Sequence, residues 1–422
     1  MTRKDVLYIF LVFVPLSVGA QHVSSNLPLP AVSQKSGNLF AIAKDGAKGK
    51  PALLQPLYWV KTLIDSSAVA TIDRDYIEQP TRAWSVELRN EFSENTLKMT
   101  TVYPMKHGLV GDLVVRSSTG VGVSTGLWAG YRGYGFGWSK SLKGEGSTFS
   151  FGAMGGSFGL NLRIINYRSQ SPESTLTLRG SLRSYKESGR EELEDPIKIR
   201  SLFLDGYYMF NGKHFSYAAA YDQSLIQRRS AGSLMAGGMY YHSRVAYDDA
   251  SNWPIIAFMR GVGQIKFTQA SVGVGYAYNW VPAKGWLISA QAMPMLQFYN
   301  RMKTYVYGIN YKYFDGKDNY SLNLVDLVEN NLEDMLINES AEGDEEDFDD
   351  LNDDFVVIGK EEEYKTSNKI GLNFDARLAV VYNLKNFYFR VYGHYNRFRY
   401  SNDTGHGRMA EWRAYASLGY RF

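Results

Sequence analysis

Apolar and polar residues alternate along most of the chain, and the alternation is clearest in the last three segments. Between Ile370 and Tyr382 the even-numbered positions are apolar or aromatic, and polar residues occupy several of the odd ones. After a turn at 383–386 the apolar positions become odd-numbered, and from Trp412 to Phe422 they are even-numbered again. A period of two places successive side chains on opposite faces, so these segments are predicted to be β-strands with one apolar face.

Similar runs extend upstream, and many exceed the five or six residues usual for a soluble strand. Strands that cross a bilayer at a tilt need about 9–11 residues, and the sheet must close because lipid offers no partner for an open edge. The sequence therefore predicts an all-β fold, a transmembrane antiparallel β-barrel of about 14 strands within a range of about 12 to 16. The range is wide because one run changes parity near Gly155 and Gly156, which indicates a bulge or two shorter strands. Upstream of the last three segments the runs are 82–92, 95–103, 117–129, 131–141, 147–165, 173–185, 197–210, 213–226, 234–247, 266–281 and 285–300.

The N-terminus predicts export. Arg3 and Lys4 precede an uncharged apolar run, and small residues lead up to Ala20. This is the pattern of a signal peptide, 1–20, and the run is too short for a membrane-spanning helix. Residues 21–80 have no strong period and are expected to form a short periplasmic N-terminal extension, which leaves 81–422 for the barrel. The expected location is the outer membrane of a Gram-negative bacterium, with the bilayer and its lipids as the surroundings.

Composition adds the aromatic and cysteine content. Tyr, Phe and Trp number 31, 22 and 8, and several stand at run ends, where barrels carry interfacial aromatic girdles. The chain has no Cys, which excludes disulfides and thiolate zinc sites. It ends on Phe422 after an alternating strand, which is similar to the C-terminal assembly signal of outer-membrane barrels. We therefore expect the barrel-assembly machinery to recognise this last strand.

Charge is distributed unevenly. The segment 326–363 holds 17 acidic residues and one basic residue, so the rest of a chain with net charge +3 carries +19. This segment lies in a predicted acidic extracellular loop, 303–366. One interpretation is a divalent-cation loop, and the other is a solvated acidic loop available to a surface partner. The candidate cation ligands are Asp344, Glu345, Glu346, Asp347, Asp349, Asp350, Asp353 and Asp354.

Basic residues fall on the polar faces of several predicted strands, which would line the lumen. A basic lumen favours anions, because charge acts strongly in a confined passage. The alternative is that these side chains pair across strands with Glu87, Asp375 and Glu411 and fill the lumen. The candidate lumen-lining residues are Arg89, Arg163, Arg377, Arg390, His394 and Arg413.

Motifs for other functions are weak. The glycines of 126–139 do not open a helix after a strand, so they do not predict a nucleotide site. The sequence predicts no histidine metal site, no cofactor and no nucleic-acid partner, because histidines occur singly and basic residues are dispersed. We expect a pore or transporter for small solutes, with anion preference if the arginines stay unpaired. The alternatives are a structural or docking barrel with a filled lumen and a partner- or cation-binding acidic loop, and, less favoured, an outer-membrane hydrolase using His394.

Three segments resemble the domain of unknown function 4421 family. They are IDRDYIE at 72–78 followed by Trp84, GLWAGYRGYGFGWS at 126–139, and GGSFGLNLRI at 155–164. The resemblance extends from about residue 60 to the C-terminus, and it implies an outer-membrane β-barrel of Gram-negative bacteria. It implies no activity, and no functional residue can be carried over from it.

Overall fold

The fold was analysed in a computed structural model. It describes residues 72–422 without 105–109, 119–120, 143–144, 170–172, 180–183, 191–192, 260, 316–317, 325, 327–355, 368–369 and 403–404. The predicted signal peptide, the extension up to residue 71 and the eight candidate cation ligands lie outside the described residues. The described residues from Asp73 to Phe422 belong to one compact unit.

The structure is almost entirely β, with two short helices, α1 at Tyr217–Tyr221 and α2 at Trp253–Phe258, and a 3₁₀ turn at Ala250–Asn252. The strands are β1 Ile77–Glu78, β2 Trp84–Pro104, β3 Val110–Ser118, β4 Gly122–Tyr131, β5 Tyr134–Ser141, β6 Glu145–Met154, β7 Phe158–Ser169, β8 Glu173–Arg179, β9 Ser184–Arg190, β10 Ile197–Met209, β11 Ile226–Gln227, β12 Ala231–Ala246, β13 Val262–Trp280, β14 Trp286–Asp315, β15 Asp318–Asn323, β16 Val356–Ser367, β17 Gly371–Leu384, β18 Phe387–Asn402 and β19 Gly405–Arg421.

Twelve of these strands close into an antiparallel barrel, which confirms the predicted fold class. The last strand, β19, pairs with β2 from Arg421 opposite Ser85 to Gly405 opposite Thr101, and this pairing closes the cylinder. Twelve is the lower limit of the expected range. The wall consists of β2, β4, β5, β6, β7, β10, β12, β13, β14, β17, β18 and β19.

The strand number falls below about 14 for three reasons. The runs 82–92 and 95–103 are one continuous strand, β2, and 173–185 forms β8 and part of β9, which pair outside the wall. The run 213–226 is not a wall strand, because its centre is helical and lies inside the barrel. In the other direction, 147–165 divides into β6 and β7 around a turn, one of the two outcomes that the parity change indicated.

The alternation predicted from sequence separates the two faces of the wall. On β17, Leu372 and Leu378 are exposed, whereas Asn373 and Asp375 between them are buried. Large apolar side chains are exposed on most of the wall strands, namely β2, β4, β5, β12, β13, β14, β17, β18 and β19. A closed sheet with an apolar outer band and a polar interior has the pattern of a membrane-spanning barrel. No helix in the described part of the chain combines the length and apolarity needed to cross a membrane.

The two ends of the barrel differ. We call the end that carries Trp84 and Phe422 the terminal end and the opposite one the loop end. Tight turns close hairpins at the terminal end, for example at Arg132 and Gly133, where both residues have positive φ. This backbone matches strand twist in two-residue hairpins and requires Gly133, because a Cβ there would lie 2.1 Å from the carbonyl oxygen of Met154. At the loop end β14 continues past the barrel and pairs with β15 and β16.

Candidate functional site

The connection between β10 and β12, residues 210–230, folds into the lumen at the terminal end. We call it the inner segment. Its helix α1 is completely surrounded, since Tyr217, Ala218 and Ala220 have no exposed surface. Ser216 caps the helix by accepting a hydrogen bond from the Ala219 amide at 3.1 Å. The helix therefore obstructs the lumen at this level.

Wall side chains satisfy the backbone carbonyls of the inner segment. Arg390 donates from Nη1 to the carbonyl oxygen of Tyr221, and Arg421 donates from Nε to that of Gln223 at 3.1 Å. Asn279 donates from Nδ2 to the carbonyl oxygen of Ser216 at 2.9 Å. A short helix leaves most of its carbonyls without partners, so these bonds fix it inside the barrel.

The motif at 72–78 lies against the inner segment. Its strand β1 pairs with β11, so Ile77 is opposite Gln227 and Glu78 is opposite Ile226. Asp73 also forms an ion pair with His214 at 3.4 Å. The first described residues of the chain are thus attached directly to the element that obstructs the lumen.

Arg377 connects the inner segment to the wall. Its Nη1 donates to the Tyr217 hydroxyl at 2.6 Å, and its Nη2 donates to the Tyr207 hydroxyl. Two carboxylates accompany it, Asp205 at 3.0 Å from Nη2 and Asp375 at 3.4 Å from Nε. The guanidinium is buried but surrounded by acceptors, which is the condition for keeping a charge in such a place.

Arg390 and Arg89 share one carboxylate. Glu87 has no exposed surface, and its Oε2 lies 2.8 Å from Arg390 Nη2 and 2.6 Å from Arg89 Nε. The Tyr388 hydroxyl donates to the other oxygen at 2.9 Å. The Arg89 guanidinium in turn lies 4.0 Å from the ring centroid of Trp128, in a cation–π contact.

Arg413 has two carboxylate partners, Glu411 and, at 2.9 Å from Nη1, Glu91. His394 lies 2.6 Å through Nε2 from Asp375 Oδ2, which assigns the proton to Nε2 when the ring is neutral. Its Nδ1 then faces Arg163 Nη2 at 3.5 Å. The ring is therefore oriented by a carboxylate on one side and a guanidinium on the other.

Arg163 differs from the other arginines. It is 8% exposed, its guanidinium lies 4.3 Å from the ring centroid of Phe203, and among the described residues no carboxylate lies within 4.0 Å of it. We call Arg89, Arg163, Arg377, Arg390 and Arg413 the arginine cluster. Four members form ion pairs with carboxylates, whereas Arg163 forms none with a described residue and interacts with Glu411 only at longer range.

The arginine cluster contributes to the lining of a cavity of about 80 Å³, which we call the chamber. Glu91 and Asp205 are its acidic lining residues, and Trp128, Ser139 and Ser150 also line it. Trp128 packs over Gly135, where a Cβ would come within 2.4 Å of Trp128 Cζ2. The chamber thus combines guanidinium groups with aromatic and hydroxyl groups.

The candidate lumen residues lie together. Arg163, Arg377, Arg390, His394 and Arg413 are buried inside the barrel, and Arg89 adjoins them. Glu87, Asp375 and Glu411, the partners considered in the sequence, all pair with arginines of this cluster. Sequence analysis missed Asp205, Tyr217 and Trp128. Asp205 and Trp128 stand at inward positions of predicted strands and could have been found by parity, but no signal placed Tyr217 inside.

Hydrolase and metal chemistry find little support in this geometry. The pair of His394 and Asp375 resembles part of a catalytic triad, but the second ring nitrogen faces Arg163 and not a serine. Within the described ranges no group of three or more potential metal ligands occurs. The absence of enzyme activity stays a prediction.

Asp222, the residue after α1, is an unusual acid in the inner segment. It is buried, and its Oδ1 has no hydrogen-bond partner among the described residues. The pKa of this carboxyl is raised to about 6, chiefly by burial and also by the nearby Glu87 carboxylate, while Ser224, Arg390 and Arg89 act in the opposite direction. The protonation state of Asp222 therefore changes with pH in the range around pH 6.

The fold and interior define the class: a membrane-spanning β-barrel with a filled polar lumen. The family described as "Domain of unknown function (DUF4421)" matches residues 71–422, and the chain belongs to this family. The match confirms the family that the three sequence segments resemble.

Solved structures of other barrels resemble this chain only distantly. The outer membrane protease OmpT from Escherichia coli is 7% identical with a TM-score of 0.33, covering 81% of this chain and 97% of that one. OprG from Pseudomonas aeruginosa is 10% identical with a TM-score of 0.24, covering 82% and 99%. The toluene transporter TodX from Pseudomonas putida is 9% identical with a TM-score of 0.26, covering 81% and 90%. No activity is transferred from these proteins, and no curated protein matches.

Proposed function

We propose that this protein is an outer-membrane barrel that transports small anionic solutes through a lumen closed at rest by the inner segment. The observation that carries the proposal is that α1 and the arginine cluster lie in contact inside one lumen, through Arg377 and Arg390. The obstructing element is a connection between two strands and not part of the wall, so it can move while the wall strands stay paired. Four of the arginines are paired with carboxylates, so anion preference is expected to come from Arg163, which has no carboxylate within 4.0 Å among the described residues.

In this proposal the terminal end faces the periplasm and the loop end faces outward, as short turns and long loops are arranged in such barrels. The predicted signal peptide 1–20 directs export, the assembly machinery recognises the last strand, and lipid contacts the apolar band. The acidic loop, 303–366, faces the medium, where it is available to cations or a surface partner.

Conductance in a planar bilayer tests the proposal. Wild-type protein, shown folded by heat-shifted gel mobility, is expected to give no steady current. Replacing 213–228 by a short Gly-Ser linker should give steady openings, because β10 and β12 remain paired through Met209 and Met235. A salt gradient should show anion preference, and Arg163→Gln in the same background should weaken it.

A single substitution provides a second test in case the variant with 213–228 replaced does not fold. Arg421→Gln removes one bond to the inner segment, at Gln223, and Arg421 does not line the chamber. Brief openings are expected from it. Folded variants that never conduct would contradict transport.

A structural or docking barrel is the second candidate. It is favoured by an apolar cluster at the loop end, where α2 residues Trp253 and Ile256 pack with Ile309 beyond the chamber. Such a cluster builds a rigid platform outside the lumen. Under this function, replacement of 213–228 changes stability but gives no current.

A further inference from the structure

We propose that the chamber is a binding site for one small oxyanion, a carboxylate or phosphate, held by Arg163. This deepens the proposed function by naming the solute class and its anchoring residue, and it rests on that function only for its role in transport. The site lies in the lumen, where the arginine cluster, Trp128 and Ser150 line the chamber.

The ion pairs single out Arg163. Among the described residues, Arg377 has Asp205 and Asp375, Arg413 has Glu91 and Glu411, and Arg390 and Arg89 share Glu87. Arg163 contacts an aromatic ring and one imidazole nitrogen, and Glu411 attracts it only from beyond ion-pair distance. A buried cation is costly unless an anion or several acceptors accompany it. A bound oxyanion would supply the close partner that no described residue provides.

The surroundings of Arg163 fit an oxyanion. Arg163 and Arg413 both line the chamber, and a guanidinium offers paired N–H donors that match carboxylate or phosphate oxygens. His394 Nδ1 accepts from Arg163 Nη2 at 3.5 Å and so helps to orient the guanidinium at the chamber. Ser150 is directly opposite Arg163 on the neighbouring strand β6, and the hydroxyl groups of Ser139 and Thr148 also line the chamber.

The size of the chamber limits the ligand. A water's share of liquid volume is about 30 Å³, so 80 Å³ corresponds to roughly three waters and limits the ligand to a compact molecule with few heavy atoms. Inorganic phosphate and a four-carbon dicarboxylate are molecules of this kind. A nucleotide or a sugar phosphate does not fit without movement of the inner segment.

Titration of the full-length wild-type protein with succinate and with inorganic phosphate tests the site. Calorimetry should show saturable binding of at least one, and the melting temperature should rise with the logarithm of its concentration. Choline chloride at equal ionic strength is the salt control. The tighter of the two oxyanions identifies the ligand as a carboxylate or a phosphate.

Arg163→Gln should weaken binding at least tenfold, and Arg163→Lys should have an intermediate effect because it keeps the charge without the fork. Arg168→Gln is the matched control, since Arg168 is on the same strand but exposed and paired with Glu145 at 2.6 Å. Arg163→Gln also loses the attraction between Arg163 and Glu411, so its melting temperature without added oxyanion serves as the baseline for the rise with oxyanion. A purely structural arginine would lower this baseline but leave the rise in melting temperature with oxyanion unchanged.

Two results would overturn the proposal: no binding of either oxyanion to the wild type, or equal binding by wild type and Arg163→Gln. If Arg163→Gln does not fold but Arg163→Lys does, the oxyanion affinity of Arg163→Lys is compared with that of wild type. An unchanged affinity would contradict the proposal, and a weaker one would support it. Binding is measured with the lumen closed, so it is independent of conductance. Oxyanion binding to the wild type without current after replacement of 213–228 would contradict the transport function but support the binding site. Current without oxyanion binding would support a pore and contradict the binding site.

Discussion

At the scale of single residues, the shape of the lumen depends on where side chains are missing as much as on where they are present. Trp128 lies flat against the wall because Gly135 and Gly137 face it without side chains. The flat indole in turn supports Arg89 through a cation–π contact. Large and absent side chains on adjacent strands thus set the position of a charged group in the chamber.

Gly135→Ala should push the Trp128 indole into the chamber, because the new Cβ would lie 2.4 Å from Cζ2. We expect a loss of about 1–3 kcal/mol in the free energy of unfolding, as for other overpacked sites, together with weaker oxyanion binding. Thermal denaturation and calorimetry measure the two effects. Gly393→Ala is the control, since its Cβ would meet only the Arg413 carbonyl oxygen at 4.0 Å. Equal effects of both substitutions would contradict this account.

At the scale of elements, the inner segment is attached to the wall by polar side-chain contacts and not by strand pairing with it. Gln227 illustrates this. Its Oε1 accepts from Asn279 Nδ2 of the wall strand β13 at 3.1 Å and from the Ser216 amide within the segment at 2.9 Å. Bonds of this kind lose little when water can replace the partners, so the segment can leave the lumen more readily than a wall strand can separate.

Asp222 should make docking of the inner segment depend on pH. Its folded-state pKa of about 6 is above the usual 3.8, so the folded state holds the proton more tightly. The contribution of Asp222 to stability is therefore most favourable below about pH 4, declines as pH rises to about 6 and stays constant above that. The shift corresponds to about 3 kcal/mol.

Asp222→Asn should remove this dependence and raise the melting temperature at pH 7.5 relative to wild type, with little difference near pH 4. Melting curves at both pH values are the measurement. Asp75→Asn, at an exposed position of the motif that lies against the inner segment, is the control. An Asn variant that is less stable than wild type at pH 7.5 would contradict this account. It would show that the Asp222 carboxylate is stabilised by an interaction that Asn cannot make.

At the scale of the whole molecule, the barrel closes where its first wall strand, β2, pairs with its last, β19. The Phe422 amide donates to the Trp84 carbonyl oxygen at 3.0 Å, and the Trp84 amide donates back at 3.3 Å. The Phe422 ring is half-exposed on the outer face and stacks on Tyr420 with a centroid distance of 6.3 Å. The Phe422 ring is thus accessible beside the seam between β19 and β2.

Phe422→Ala should reduce the folded fraction in the outer membrane several-fold, because the ring is the proposed recognition element for assembly. Gel mobility with and without heating measures this fraction in membranes. Phe387→Ala is the control, since that ring is equally exposed at the same end and also contacts Tyr420, at 4.8 Å. The two purified variants should refold equally well in detergent. Equal folded fractions in the membrane would contradict an assembly role.

The sequence by itself determined which positions face lipid and which face the interior. A period of two is a local property of the chain, so Leu372 and Leu378 are predicted outside and Asp375 and Arg377 inside before any partner strand is known. The same alternation predicted that Arg163, Arg390, His394 and Arg413 face the interior, together with Glu87, Asp375 and Glu411. It also predicted closure, because lipid cannot satisfy an open edge.

Only the tertiary structure decided the strand number and the state of the lumen. Both depend on pairing between distant segments, which periodicity does not encode. The alternation of Phe215, Tyr217 and Tyr221 is compatible with a strand, but these residues enter a helix because Arg377, Arg390 and Asn279 satisfy that segment from the wall. Likewise, parity placed Arg163 inside but could not reveal that it alone in the arginine cluster forms no ion pair with a described residue. Which buried charges are paired is decided by register across the barrel.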